Sequence, residues 1–309
     1  MTPPDSATRM NVEAAQAAQA VRDQLFGNAE EMERLGVLTS SAALSVSSIY
    51  GARPVLAGSV CLAISQSGAS PDLLASVRHA RASGALVVAF VNARGSPLAA
   101  LADHTVPLCA GPETSVAATK SFIASLAALI HLVASWTRDR TLYDALRKAP
   151  RQLEQAWQLD WSAAIEPLRS ATDLYVVGRG LGLGVAQEAA LKLKETCGLH
   201  AEAVSAAELR HGPMALVKTG FPVLIFSQND EARASIEMLA MELIAREAAV
   251  MIAGSRCVQA LQLPVEPAHP MIEPMLLIET FYRLANALSL ARGLDPDHPP
   301  HLRKVTETV

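Results

Sequence analysis

The sequence predicts an α/β protein made of two similar halves, each with a parallel sheet flanked by helices. Two observations support this prediction. Continuous apolar runs of strand length alternate with helices, and parallel strands need such crossover helices between them. The same strand–helix alternation then returns after residue 170, in the second half of the 309 residues.

The first half opens with a helical region. Residues 11–35 are rich in Ala, Gln and Glu at helical spacing and predict one long helix that ends near Gly36. The later segment "SVSSIYGARP" has the composition of a loop. The apolar run "VCLAI" at 60–64 predicts a strand that is buried on both faces. The elements that follow are a helix at 70–83, a strand at 85–92, a short helix in "ARGSPLAALAD", a strand in "HTVPLCAG" and a long helix at 114–136.

The second half repeats this pattern after helical material at 138–170. Its predicted elements are a strand and Gly-rich turn at 173–184, a helix at 185–198, a strand at 221–228, a helix at 231–247, a strand at 248–254 and a buried helix at 275–293. The segment "LPVEPAHPMIEP" is a connection, and the prolines of the polar tail exclude a helix there. The predicted parts are a helical segment at 1–36, a first domain at 37–150, a second domain at 151–292 and a tail at 293–309.

Composition and charge argue against several classes of protein. The net charge of -4 disfavours nucleic acid and anionic membranes as partners. Apolar runs such as 84–91 are shorter than the roughly 20 residues of a membrane span, and the N-terminus lacks the pattern of a signal peptide. The cysteines lack CxxC spacing and fit buried thiols in a reducing compartment: Cys61, Cys109, Cys197 and Cys257. We therefore predict a cytoplasmic protein without a disulfide framework or a zinc site.

The stretch "AISQSGASPD" at 63–72 ends a strand in small polar residues and then begins a helix. Ligands of parallel sheets bind at the carboxyl ends of strands, where loops meet helix N-termini. The side chains of Ser65, Gln66, Ser67 and Ser70, with the free N–H groups of the next helix, would suit a phosphate. The alternative is that Ser70 only caps the helix and the other residues form an ordinary turn.

The segment "VVGRGLGLG" matches a dinucleotide-binding fingerprint only loosely. The fingerprint needs an acidic residue at the end of the next strand, whereas a long loop and then "FPVLIF" follow here. A structural glycine turn, or the rim of another pocket, is therefore the favoured interpretation.

The segment 192–213 holds the densest group of titratable residues in otherwise apolar surroundings. Lys192 and Glu195 are three residues apart on one predicted helix and share a face. His211 follows in "RHGP", where Gly-Pro fixes a turn. A Glu, a Lys and a His near one pocket can move protons next to a carbonyl group. The alternative is a surface salt bridge and a structural histidine.

These motifs together resemble a known family. The segments "SQSGAS", "SVAATKSF", "GRG", "ALKLKE", "HAEA", "ELRHGP" and "LRKVTETV" resemble, in order and spacing over about residues 37–309, the sugar isomerase (SIS) domain pair of the glutamine–fructose-6-phosphate aminotransferases. The resemblance implies two flavodoxin-like, doubly wound SIS domains that need no metal and no cofactor. It also implies a hexose or hexosamine phosphate as ligand, and a homodimer whose active site is shared between subunits.

The resemblance further implies a role for each matched residue. The sugar phosphate would be held by Ser65, Gln66, Ser67 and Ser70, helped by Val116, Ala117 and Ala118. Glu195 would move a proton between C1 and C2, and Lys192 would assist that transfer. His211 would help to open the sugar ring in the neighbouring subunit's site. Lys304 would form a Schiff base with the ketose, since an iminium at C2 acidifies the neighbouring carbon.

The sequence departs from the aminotransferase pattern at three points. We expect no glutaminase domain, because the chain starts Met-Thr-Pro-Pro and Cys61 lies inside a predicted strand. The stand-alone double-SIS proteins are therefore the better match. Ala69 stands where the aminotransferases usually have Glu. About 35 to 40 residues, with a serine-bearing loop, are missing before the segment at 36–47, so the first domain is expected to be truncated, one strand short and open at one sheet edge.

The expected function is the conversion of glucosamine-6-phosphate to fructose-6-phosphate and ammonia. Two alternatives within enzymes are a simple aldose–ketose phosphate isomerase and a deaminase for another aminosugar phosphate. A third is a regulatory protein that binds sugar phosphates without catalysis. The truncated first domain favours this binder, whereas Lys304 argues against it, because a pure binder does not need a Schiff-base lysine.

Overall fold

The computed structural model describes residues 8–27, 43–51, 54–255, 257–302 and 304. The chain divides into two compact units. The first unit comprises Gln19–Thr114, Lys120–Arg147 and Arg303–Val309, and the second comprises Met1–Ala18, Ser115–Thr119 and Lys148–Leu302.

Helices and parallel strands alternate along both units, as the sequence predicts. In chain order they are α1 (Arg9–Ala14), α2 (Ala17–Gly27), α3 (Leu44–Ser48), β1 (Val60–Ser65), α4 (Pro71–Ala82), β2 (Leu86–Val91), α5 (Pro97–Leu101), β3 (His104–Pro107), α6 (Lys120–Thr137), α7 (Arg140–Trp157), α8 (Ile165–Arg169), β4 (Asp173–Gly178), α9 (Leu181–Cys197), β5 (His200–Ser205), β6 (Pro222–Phe226), α10 (Arg233–Ala245), β7 (Ala249–Ala253), β8 (Leu261–Leu263) and α11 (Glu273–Ala291). Short 3-10 turns occupy Ser162–Ala164, Glu208–His211 and Pro213–Leu216.

The sheet of the first unit has, within the described residues, three parallel strands in the order β1–β2–β3. The alternation along β2 sends side chains to both faces. On one face Val88 and Phe90 pack with residues of α6, and on the other Val87 and Ala89 pack with Leu74 of α4. The doubly wound α/β fold is therefore confirmed, with β2 buried on both sides.

The first strand, β1, is less buried than the sequence predicts. Only Ala63 of its six residues is buried, and the side chain of Ile64 is 39% exposed. β1 lies at the edge of the sheet that the described residues form, so none of the described strands covers its outer side. The prediction of a strand buried on both faces is wrong for β1.

The second unit contains five parallel strands in the order β5–β4–β6–β7–β8. One face carries Val177, Ile225 and Ile252 and packs against apolar residues of α10. On the other face Phe226 packs against Trp161 and against Phe281 of α11, with ring centroids 6.2 and 6.1 Å apart. Helices therefore cover both faces of this sheet as well.

Two strands of this sheet were not predicted. β5 lies in a segment read as a loop, because its outward residues His200 and Glu202 are polar and exposed. β8 has three residues and lies at the sheet edge, where a short strand leaves little apolar signal.

The N-terminal region differs from the predicted single helix over 11–35. Two helices, α1 and α2, are separated by a turn at Ala15 and Gln16, and residues 28–42 lie outside the described part of the chain. The buried Glu13 of α1 accepts hydrogen bonds from the Ser115 N–H at 3.1 and 3.2 Å. Local helix propensity does not register contacts between residues so far apart in the sequence.

Two further helix boundaries differ from the predictions. The short helix α3 overlaps the start of "SVSSIYGARP", whose composition predicts a loop. α6 begins at Lys120 and not at residue 114, because Ser115–Thr119 form an irregular segment of the second unit. By length and composition α6 could cross a membrane, but just over half of its residues are buried inside the protein, as in a core helix.

The first described helix and the residues that follow α11, up to Leu302, belong to the second compact unit. Helix α1 belongs to the second unit, because the N–H groups of Arg9 and Met10 donate to the carboxylate of Asp297 at 2.6 and 2.7 Å. The hydroxyl of Thr8 also bonds to Asn286 of α11. The start of the chain and part of the predicted tail are thus tied together.

Burial of His131 in α6 gives the first unit a pH-dependent stability. Its side chain is 1% exposed and lies 3.1 Å from the Tyr143 hydroxyl, and burial lowers its pKa to about 4. An unfolded chain takes up this proton below pH 6.5, so stability should be full above pH 6.5 and should fall towards pH 4, by up to about 3 kcal/mol. Urea unfolding at pH 7 and 4.5 should show a smaller loss for His131→Phe than for the wild type. An equal loss in both proteins would contradict this assignment.

Candidate functional site

The predicted phosphate-binding turn lies at the carboxyl edge of the first sheet. The N–H of Gly68 donates to Ser65 Oγ at 2.9 Å, and the N–H of Ala93 donates to the Gln66 carbonyl at 3.2 Å. These bonds hold the turn against the end of β2. All four predicted side chains are half-buried, which leaves part of each open to a ligand: Ser65, Gln66, Ser67 and Ser70.

A glycine is required at the centre of this turn. Gly68 has φ +62°, and a Cβ there would lie 2.3 Å from Ser96 Oγ. The N–H of Leu98 donates to the Gly68 carbonyl at 3.0 Å, so α5 packs directly beneath the turn. The turn therefore has a fixed backbone, as a preformed binding site needs.

Ser70 does not cap α4 with its side chain, which corrects one alternative from the sequence. It occupies the N-cap position, followed by Pro71, but its hydroxyl makes no capping hydrogen bond. The 12-residue helix thus points its N-terminus, with the unpaired N–H groups of its first turn, towards the serine-rich turn. Such a terminus favours an anion.

The loop after β3 brings an acidic residue to the same edge of the sheet. Asn92, which follows β2, donates to the Gly111 carbonyl and accepts from the Ala110 N–H, both at 2.8 Å. Two residues further on, Glu113 accepts hydrogen bonds from the N–H and the hydroxyl of Ser121 at 3.2 and 2.5 Å. The Lys304 Nζ lies 3.8 Å from Glu113 Oε2. Lys304 therefore belongs to the same unit as the phosphate-binding turn.

The three apolar residues predicted to assist phosphate binding lie in the second unit. They belong to the segment Ser115–Thr119, which the Glu13 carboxylate holds through the Ser115 N–H. Ala117 is fully buried, whereas the other two are half-buried: Val116 and Ala118. Their predicted role stays a prediction.

Helix α9 of the second unit carries three charged side chains on one face. The Lys192 Nζ lies 2.5 Å from Glu195 Oε2 and 3.5 Å from Glu188 Oε1. The hydroxyl of Tyr282 on α11 donates to the same Glu188 oxygen at 2.9 Å. The side chains of Glu188 and Lys192 are 8% and 3% exposed, while that of Glu195 is 22% exposed. The cluster is therefore buried at one end and open at Glu195, unlike a surface salt bridge.

Burial sets the protonation of this cluster. It raises the pKa of Glu188 to about 7, although Lys192 and the Tyr282 hydroxyl act in the opposite direction. Burial alone would lower the pKa of Lys192, but the two carboxylates outweigh it and leave that pKa above its ordinary value. Lys192 thus stays an ammonium group next to Glu195. A carboxylate held between a buried cation and solvent is suited to proton transfer.

His211 ends the 3-10 turn Glu208–His211 and is exposed within its unit. The neighbouring Arg210 forms a two-pronged ion pair with Glu242 of α10, both contacts at 2.9 Å. This pair holds the residue next to His211, and the imidazole lies at the surface of the chain. An exposed imidazole is available to a ligand or to another subunit.

The residues that sequence reasoning missed are Glu188, Tyr282 and Glu113. Glu188 stands four residues before Lys192, so helical spacing could have placed it on the same face. No spacing rule could have found Tyr282 or Glu113, because their partners are far away in the sequence.

The glycine-rich turn after β4 accommodates a side chain of the protein itself. A Cβ on Gly182 would lie 2.4 Å from Gln228 Oε1, and Gln228 Nε2 donates to the Arg179 carbonyl at 2.7 Å. This arrangement favours the structural interpretation of the glycines over a dinucleotide site. Among the residues that the structure describes, no three His, Cys, Asp or Glu side chains group around a metal position.

Comparisons with known proteins agree with this architecture. The SIS domain family matches residues 29–135 and 167–253. The glutamine–fructose-6-phosphate aminotransferase (isomerizing) of Aeropyrum pernix is 39% identical over 272 residues, which are 81% of this chain and 43% of that protein. The chain thus spans less than half the length of this relative.

Solved structures extend the likeness over nearly the whole chain. A candidate phosphosugar isomerase from Silicibacter pomeroyi is 38% identical with a TM-score of 0.88, covering 94% of this chain and all of the other. The C-terminal domain of the Francisella tularensis glucosamine-fructose-6-phosphate aminotransferase is 23% identical with a TM-score of 0.86, covering 96% and 100%, which shows a shared fold. With two matched segments and these relatives, the chain belongs to the SIS domain family and has the fold of sugar-phosphate isomerases.

Proposed function

We propose that the protein is an aldose–ketose isomerase of aminosugar phosphates, which converts glucosamine-6-phosphate and water to fructose-6-phosphate and ammonia. The observation that carries the proposal is the Glu188–Lys192–Glu195 cluster, buried at Glu188 and open at Glu195. Its setting in an SIS fold, and the aminotransferase named among the relatives, support a phosphorylated hexosamine as the substrate.

In this proposal Glu195 transfers a proton between two neighbouring carbons. With the sugar ring open, the carboxylate takes the proton from C2 and returns it to C1, which turns the C2 amine into an imine. Lys192 holds Glu195 in position and balances charge on the sugar oxygen. The imine then exchanges with the amine of Lys304, which releases ammonia, and water cleaves the resulting Schiff base to the ketose, so atoms and charges balance.

The phosphate and the carbonyl carbon are assigned to the first unit. The half-buried side chains around Gly68 and the N-terminus of α4 would bind the phosphate. Lys304 would exchange with the C2 imine to form a Schiff base, which water then cleaves. The exposed His211 would open the ring in the site of a second copy, so we propose a homodimer.

A substrate panel tests the proposal directly. Purified protein should release ammonia from glucosamine-6-phosphate and form fructose-6-phosphate in equal amounts, measured by coupled enzyme assays. Galactosamine-6-phosphate serves as the matched epimer, and glucose-6-phosphate tests plain isomerisation. Turnover of glucose-6-phosphate alone would replace deamination by simple isomerisation. If no sugar turns over while fructose-6-phosphate still binds, the enzymatic proposal is wrong.

A second candidate is a regulatory protein that binds sugar phosphates without chemistry, since the half-buried turn and the N-terminus of α4 would suit a phosphate with or without catalysis. The two candidates differ in covalent chemistry at Lys304. Borohydride treatment with fructose-6-phosphate should leave a stable adduct on Lys304 of an enzyme and none on a pure binder, as read by peptide mass spectrometry.

A further inference from the structure

Glu113 is a buried carboxylate for which the proposed reaction has so far given no use. Its side chain is fully buried, and Ser121 donates to both of its oxygens. A buried carboxylate is costly unless cations or hydrogen-bond donors compensate it. Lys304, with a side chain only 25% exposed, supplies the positive charge at 3.8 Å.

The position of Glu113 connects this ion pair to the phosphate-binding turn. The Gln66 carbonyl in the turn accepts a hydrogen bond from the N–H of Ala93. The side chain of the adjacent Asn92 is hydrogen-bonded to the backbone of Ala110 and Gly111. Hydrogen bonds therefore link the turn after β1, the residues after β2 and the loop after β3, which leads to Glu113, along the carboxyl edge of the sheet. A lysine paired with Glu113 is held at the edge where, in the proposed function, the sugar phosphate binds.

We propose that Glu113 is the positioning residue for Lys304: its carboxylate holds the lysine side chain at the sheet edge and exchanges a proton with the Lys304 amine. This inference rests on the proposed function, because it assigns the residue that serves the Schiff-base step. The hydrogen bonds from Ser121 fix both carboxylate oxygens, so the direction from which Lys304 approaches is fixed as well.

The proton balance can be written for Schiff-base formation with the ketose, which is the reverse of the final hydrolysis and the step that borohydride trapping measures. The Lys304 ammonium transfers a proton to Glu113, which leaves a neutral amine and a neutral acid. The amine adds to the ketose C2 carbonyl, with its N–H proton moving to the oxygen, to form a carbinolamine. Glu113 then returns its proton to the leaving hydroxyl, so water departs and an iminium forms beside a carboxylate. The sum is ammonium plus ketone giving iminium plus water, with Glu113 unchanged.

Two measurements on Glu113→Gln test the proposal. The first uses no substrate: acetylation of Lys304 by an N-hydroxysuccinimide ester, relative to the exposed Lys218, should rise roughly fivefold when the ion pair is lost. The second is borohydride trapping with fructose-6-phosphate, where adduct formation on Lys304 should slow by about 10²-fold. The affinity for the sugar phosphate should change less than threefold, because the phosphate-binding turn is intact.

Matched variants separate this role from a structural one. Glu113→Asp keeps a carboxylate and should recover part of the trapping rate. Ser121→Ala removes one donor but keeps the ion pair, so Lys304 acetylation should stay near the wild-type level. Unchanged acetylation in Glu113→Gln, or wild-type trapping in that variant, would overturn the proposal. If the wild type itself traps no sugar, the Schiff-base step of the proposed function fails, and acetylation alone decides whether Glu113 docks Lys304.

Discussion

Replacing Glu195 by Gln is expected to lower kcat for ammonia release from glucosamine-6-phosphate by roughly 10³-fold or more. The substitution keeps the size of the side chain and removes its capacity to accept a proton. KM should change little, because the phosphate is assigned to the other unit of the chain. Steady-state assays of the wild type and of Glu195→Gln at pH 7.5 would measure kcat and KM.

A control distinguishes the role of Glu195 from a general effect of removing a charge. Glu166→Gln changes a side chain that is 87% exposed on α8, and its kcat should equal that of the wild type. The affinity of Glu195→Gln for fructose-6-phosphate, measured by calorimetry, shows whether the site is intact. More than a tenth of wild-type kcat in Glu195→Gln would rule out this carboxylate as the proton carrier.

Replacing Glu279 by Leu is expected to stabilise the protein by about 1–3 kcal/mol at pH 7. The residue lies on α11 and is 1% exposed, and its Oε2 has no hydrogen-bond partner within the described residues. Burial raises its pKa well above the ordinary value, so the folded protein keeps this carboxyl protonated. Leucine has a similar volume and removes the cost of an uncompensated polar group.

The pH dependence of this gain has a definite sign. The unfolded chain releases the Glu279 proton above its ordinary pKa of 4.5, whereas the folded chain retains it. Stability from this group is therefore full below pH 4.5 and is lost as the pH rises. The advantage of Glu279→Leu should grow between pH 5 and 8 in urea unfolding. Glu279→Gln should remove the pH dependence while leaving a buried polar group, and a gain independent of pH would contradict the assignment.

Much of the fold could be predicted because its strands are apolar runs of strand length. β2, β6 and β7 are buried on both faces, so nearly all of their residues are apolar. Such a continuous apolar run predicts a strand even when its neighbours in the sheet are unknown. β5 alternates with polar residues, and β8 is too short for a pattern. The break between α1 and α2 has no local sign in the sequence, and the contact of Glu13 with Ser115 joins residues about a hundred positions apart.

The candidate site divides in the same way. Helical spacing places Lys192 beside Glu195, and the strand–turn–helix pattern places Ser65 and Ser70 at a sheet edge. Burial decides what these residues can do, and burial comes from other elements. Tyr282 bonds to Glu188 from a position 94 residues later in the chain. The residues of the entire second sheet separate Glu113 from Lys304 in the sequence.

The ion pair between Glu113 and Lys304 also has a consequence for biosynthesis. The first unit takes Gln19–Thr114 from before the second sheet and Arg303–Val309 from after it. A ribosome must therefore synthesise all the described strands of both sheets before the lysine can reach its carboxylate. Nascent chains that stop earlier cannot form this pair, so the step assigned to Lys304 would become possible only after residue 304 is made.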